Sequence, residues 1–85
     1  MVKRYKILFS KQAKKDIEKL TPKLREKAKQ VCRLLSENPY AGKGLLGDLK
    51  GHYSIRLSYK DRLVYSINND TVEIYILRLK THYGD

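Results

Sequence analysis

The chain predicts an α+β fold in which a two-helix hairpin packs on one face of a small antiparallel sheet, in the order β-α-α-β-β-β. Two observations carry this. Residues 53–83, YSIRLSYKDRLVYSINNDTVEIYILRLKTHY, alternate apolar and polar side chains, the period of strands with one buried face. Residues 11–35 instead repeat their apolar side chains at three- and four-residue steps, the period of helices with one buried stripe. Stripes and strand face must bury one another, which gives two layers around one core.

Each element has its own local reason. Tyr5–Phe9 is a short apolar run after Lys3-Arg4 and reads as a first strand. Ser10 stands where an N-cap belongs, ahead of KQAKKDIEKL, whose Ala13, Ile17 and Leu20 form one narrow stripe with charges elsewhere. Thr21-Pro22 restarts a helix, Thr as cap and Pro at the first helical position. Leu24, Ala28, Val31 and Leu35 continue at helical spacing, with Cys32 beside them as a small core residue. Asn38-Pro39 ends the helix, because a residue before proline avoids helical backbone.

The segment PYAGKGLLGDLKGH reads as a loop that brings Asp48, Lys50 and His52 to the start of the sheet. It lacks the spacing and the following helix of a phosphate-cradling loop. Strands are expected over Tyr53–Ser58, Arg62–Ile67 and Thr71–Lys80, with turns at Lys60-Asp61 and Asn68-Asn69-Asp70.

Turn lengths set the faces. With Ser58 opposite Arg62 and Ile67 opposite Thr71, one face collects Tyr53, Ile55, Leu57, Leu63, Tyr65, Ile67, Tyr75, Leu77 and Leu79. The other collects Ser54, Arg56, Arg62, Arg78, Lys80 and His82, with Val64, Ile74 and Ile76. A one-residue slip would exchange the faces of the last strand. The chosen register keeps Arg78 and Lys80 out of the core, where an unpaired charge is costly. It also sets Arg62 near Ile76, so that an extended tail would carry His82 about 20 Å away unless it folds back after Lys80.

At 85 residues the chain is expected to form one domain over residues 1–85. The formal net charge of +10 points to a polyanionic partner: nucleic acid first, an acidic protein next, a membrane surface last. One cysteine excludes an intramolecular disulfide and fits a reducing cytoplasm. No apolar run approaches the ~20 residues of a membrane span, and MVKRYKILF is too short in apolar residues for a secretion signal. Two histidines and one cysteine, far apart, show no metal-ligand spacing, so neither metal nor cofactor is expected.

Arg56, Arg62, Arg78, Lys80 and His82 on one face suit phosphodiester chemistry. RNA cleavage through its own 2′-hydroxyl needs a base for that proton, cations for the charge on the phosphorane and an acid for the 5′ oxygen. Arginine binds phosphate oxygens in a fork and stays charged; histidine moves protons near neutral pH. Tyr59, at a turn, and Tyr83, near the terminus, are the tyrosines placed to stack on a base. A plain solvated basic face is the alternative on spacing alone.

With GDLKGHYSIRL, DRLVYSI and the terminal THY in view, the chain resembles the RelE superfamily of toxins from toxin–antitoxin modules, and its YoeB/Txe branch at the C-terminus. The resemblance implies two helices against a small sheet, cleavage of mRNA on the ribosome and neutralisation by a cognate acidic antitoxin. It further implies that Arg62 is the catalytic arginine, Arg56 and Lys50 phosphate contacts, and His82 and Tyr83 the terminal proton-transferring pair. Where YoeB-like members place a glutamate this chain has Gly47, and where RelE-like relatives have a lysine it has Ser54. Asp48, or a cation-rich site without a carboxylate, is left for the general base. Rival readings are a gyrase-directed toxin of the ParE kind and a non-catalytic module that binds RNA or the ribosome.

Overall fold

The computed structural model describes residues 4–45 and 51–81. The order is β1 (Lys6–Phe9), α1 (Lys11–Lys19), α2 (Pro22–Glu37), a 3₁₀ turn (Pro39–Ala41), β2 (Lys43–Gly44), β3 (His52–Arg56), β4 (Asp61–Asn68) and β5 (Glu73–Thr81). The strands form one sheet in the order β1-β5-β4-β3-β2. The expected α+β architecture is therefore present, with two differences. β1 joins the sheet beside β5 in parallel, so the sheet is mixed. The loop before β3 contributes a short fifth strand, β2, antiparallel to β3.

The helix ends form as the sequence indicates. Ser10 Oγ accepts the Ala13 N–H at 3.0 Å, and Thr21 Oγ1 accepts the Leu24 N–H at 3.2 Å ahead of Pro22. Each cap satisfies a donor that the first turn leaves over. At the other end of α1, Arg25 Nη2 donates to the Leu20 carbonyl at 3.0 Å. A cation there also opposes the negative end of the helix dipole.

Both helices lie on one face of the sheet. The core joins Ala13 of α1 and Ala28, Val31 and Leu35 of α2 to Leu63 and Tyr65 of β4, with Cys32 half-buried at its margin. Burial alone pushes the Cys32 thiol up to about 11, which keeps it protonated and unreactive. The Tyr65 ring is fully buried, and its hydroxyl donates to the Pro39 carbonyl (2.8 Å) and accepts the Gly42 N–H (3.0 Å). Gly42 allows that approach: a Cβ there would lie 2.5 Å from the Tyr65 hydroxyl oxygen and 2.7 Å from the Ser54 carbonyl oxygen.

The strand registers differ from those expected. In the β3–β4 hairpin Arg56, not Ser58, faces Arg62. The turn closes one residue earlier, where Leu57 N–H donates to the Asp61 carbonyl (2.8 Å) and Ser58 Oγ donates to the Asp61 carboxylate (2.7 Å). An offset of two residues leaves every face as expected. The β4–β5 hairpin is offset by an odd number: Ile67 pairs with Ile74 and Asn68 with Glu73. Asn68 Oδ1 accepts the N–H groups of Asp70 (3.0 Å) and Thr71 (3.2 Å), and Val72 takes a positive φ of 55°, which lengthens the turn.

Parity then reverses. Ile74 and Ile76 are fully buried, whereas Tyr75, expected in the core, is 40% exposed. A β-bulge restores the parity further on. Tyr65 pairs with Ile76 but Val64 with Arg78, which leaves Leu77 as the extra residue; Leu63 then faces Leu79, buried as expected.

Candidate nucleic-acid interface

On the sheet face away from the helices, cross-strand pairing assembles two basic rows. Arg62 is the Cα partner of Arg56 on one side and of Lys80 on the other. Beside this row run Lys43, Ser54, Val64 and Arg78, paired in that order across β2, β3, β4 and β5. A third row holds His52, Ser66, Tyr75 and Leu8. Neighbouring strands lie about 5 Å apart, so these positions span the width of a few nucleotides.

Arg56 and Arg62 are both exposed, and among the described residues neither has an ion-pair partner. Like charges facing each other across strands destabilise a sheet. Arg78 differs from them. Its Nε lies 3.4 Å from Asp16 of α1, with the Arg78 side chain 48% exposed and the Asp16 side chain 7% exposed. Burial works against ionisation of Asp16, but hydrogen bonds from Gln12, the Leu79 N–H and Arg78 outweigh it and hold the carboxyl below its usual 3.8.

The register also corrects the expected distance to the tail. Arg62 lies opposite Lys80 rather than Ile76, so the strand ends at Thr81, opposite Asp61, beside Arg62 without folding back. Asp48, Lys50, His82 and Tyr83 lie outside the described residues, as do the Lys80 and Thr81 side chains. Tyr59 stands at the tip of the β3–β4 turn, 89% exposed. His52, read as a loop residue, is half-buried within β3.

Sequence reasoning missed Lys43 and Tyr75 on this face because it foresaw neither β2 nor the odd register. It also missed the burial of Asp16. A signal for that existed: Asp16 falls three residues after Ala13 and four before Leu20, on the apolar stripe itself.

Residues 7–83 match the sequence profile of the ParE toxin of the type II toxin–antitoxin system parDE. The chain belongs to the RelE/ParE superfamily of type II toxins. The toxin is also 35% identical over 66 residues to the YoeB toxin of Mycobacterium bovis, a match covering 69% of this chain and 75% of that one. Its fold superposes on the RelBE2 toxin–antitoxin complex of Mycobacterium tuberculosis with a TM-score of 0.85 at 29% identity, over 95% of this chain and 94% of that one. The YoeB–YefM complex of Staphylococcus aureus gives 0.78 at 28% identity, over 94% and 99%. Among the described residues no helix is long and apolar enough to cross a membrane.

Proposed function

We propose that this toxin is a metal-independent endoribonuclease of the cytoplasm that cleaves mRNA on the ribosome through the RNA's own 2′-hydroxyl. The observation that carries the reading is the alignment of Arg56, Arg62 and Lys80 at one level of three adjacent strands, with Arg56 and Arg62 unpaired among the described residues. Such a row costs the sheet stability and repays it only when an anion binds.

In this reading the 2′ oxygen attacks the adjacent phosphorus, and Arg56 and Arg62 neutralise the phosphorane oxygens by charged, forked hydrogen bonds. The 5′ oxygen departs with a proton from His82, leaving a 2′,3′-cyclic phosphate, while Tyr83 positions or stacks on the substrate. Lys50 and Lys80 supply further phosphate contacts, and Arg78 does so from its place beside Asp16. The 2′ proton passes to Asp48 or, in a cation-rich site without a carboxylate, to water, since Gly47 holds the place of the branch's glutamate. Lys80 opposite Arg62 supports this assignment, because His82 follows only two residues later in the chain.

The partner in the cell is an acidic cognate antitoxin. Two things support this: the net charge of +10, and the resemblance to toxins whose structures are solved as RelBE2 and YoeB–YefM complexes.

The match to a ParE profile favours a second reading, poisoning of gyrase. One experiment separates the two. Wild type and Arg62→Ala are assayed for mRNA cleavage on programmed ribosomes and for inhibition of gyrase supercoiling. The nuclease reading expects cleavage by the wild type and a loss of at least about a hundredfold in the variant, the scale of removing one transition-state donor. Inhibition of supercoiling without cleavage would install the second reading.

A further inference from the structure

α1 and its N-cap grip β5 through two polar side chains, Ser10 at the β-bulge and Asp16 just beyond it. Before the bulge, the Ser10 N–H donates to the Ile76 carbonyl (3.0 Å), and Ser10 Oγ donates to the carbonyl of Leu77, the extra residue itself (2.9 Å). Beyond it, Asp16 Oδ2 accepts the Leu79 N–H at 3.0 Å and faces Arg78 Nε at 3.4 Å. Gln12 Nε2 steadies the other carboxylate oxygen at 2.9 Å.

The location explains why a carboxylate sits on an apolar stripe. The last β1–β5 pair is Phe9 with Ile76, so beyond Ile76 the outer edge of β5 has no strand beside it. An edge N–H covered by a helix must find an acceptor there. Asp16 is that acceptor for Leu79. An apolar residue at 16 would suit the helix stripe equally well and would leave the strand unsatisfied.

What the grip preserves follows from the pairing. Were the bulge annealed, the register of Ile67 with Ile74 and Tyr65 with Ile76 would run on unbroken. Arg78 would then face Leu63 in the core, and Leu79, not Lys80, would face Arg62. The bulge alone brings Lys80 opposite Arg62. Residues freed from the grip have no second packed register to adopt, since the slipped one buries Arg78. They would lose order at the site instead.

We propose that Asp16, acting with Ser10, is a positioning residue: a clamp from α1 that holds the bulge of β5 and so aligns Lys80, and the chain leading to His82, with Arg62. Its consequence for cleavage rests on the nuclease reading; its consequence for register does not.

The test compares Asp16→Ala, which removes the acceptor, with Asp16→Asn, which keeps an oxygen for the Leu79 N–H but no charge for Arg78. Isotopically labelled toxin gives cross-strand backbone NOEs between Arg62 and Lys80 and amide exchange at Leu79; programmed ribosomes give kcat and KM. The clamp expects Asp16→Ala to lose the NOEs, to exchange Leu79 about tenfold faster or more, and to lose up to about a hundredfold in kcat with KM nearly unchanged, the cost of ångström-scale misplacement. Asp16→Asn should keep the NOEs and stay within about threefold of wild type, as a retained hydrogen bond implies. The proposal is overturned if Asp16→Ala keeps the NOEs and wild-type exchange, or if Asp16→Asn loses the register. Should Asp16→Ala not fold, Ser10→Ala, which removes the hydroxyl from the Leu77 carbonyl, is read instead: the clamp expects weakened Arg62–Lys80 NOEs and faster Leu79 exchange, and wild-type values for both overturn it. Should wild-type toxin not cleave, the nuclease reading falls, and the NOEs and exchange still decide the clamp.

Discussion

On the helix-covered face of the sheet, Leu63, Tyr65, Ile74 and Ile76 are fully buried among side chains of α1 and α2. On the opposite face of the same strands, Arg56 and Arg62 stand exposed across from each other, and Tyr75 lies open beside Ser66. Among the described residues every buried side-chain polar atom has a hydrogen-bond partner, and the Tyr65 hydroxyl both gives and receives one. The open face instead sets like charges side by side. One face is built for stability and the other tolerates instability, which is how a binding face is told from a core in the absence of a ligand.

The largest effect that would break this contrast concerns two neighbours on one strand. Ile76→Ala should destabilise the toxin by about 2–5 kcal/mol, the usual range for truncating a fully buried aliphatic side chain, while Tyr75→Ala should cost under about 1 kcal/mol. Urea midpoints of the two variants check this. Equal losses would mean that β5 does not reverse its parity after the turn.

A smaller loss is expected at Tyr65. Burial pushes its phenol above the ordinary value of 10, so the hydroxyl is neutral and available to donate to Pro39. Tyr65→Phe keeps the ring but strands the Pro39 carbonyl and the Gly42 N–H, at a cost of about 1–3 kcal/mol. Thermal unfolding measures it, and an unchanged midpoint would show that water replaces the hydroxyl.

The smallest effect has the opposite sign. Arg56→Thr removes one of two facing cations from an exposed pair, and should raise stability by a few tenths of a kcal/mol while weakening RNA binding. Urea unfolding at low salt, set beside binding to ribosomes, reads both. A loss of stability would make Arg56 structural and weaken the case for the open face.

Much of this molecule follows from local chemistry. Ser10 and Thr21-Pro22 cap helices wherever they stand, because the leftover N–H groups are an intrinsic property of a helix start. Arg56 and Arg62 could be put on one face from alternation, since β3 and β4 each carry an unambiguous period of two and the hairpin error was even. Asp48, Lys50, His82 and Tyr83, singled out by alternation and chain position and given their roles with the family resemblance, lie outside the described residues. β5 is another matter. Its EIYILRLK has four apolar residues in succession, Ile74 to Leu77, so burial is satisfied in either parity and the pattern cannot choose. The choice fell to an Asn68-capped turn at one end and to Ser10 and Asp16 at the other. Asp16 and Leu79 are 63 residues apart in sequence, and no local propensity records such a contact. By itself the sequence determined both helices and their caps, every strand but β2, and the sign of the open face. Only the tertiary structure decided which cation stands opposite Arg62, because strand parity depends on hydrogen bonds made across the fold.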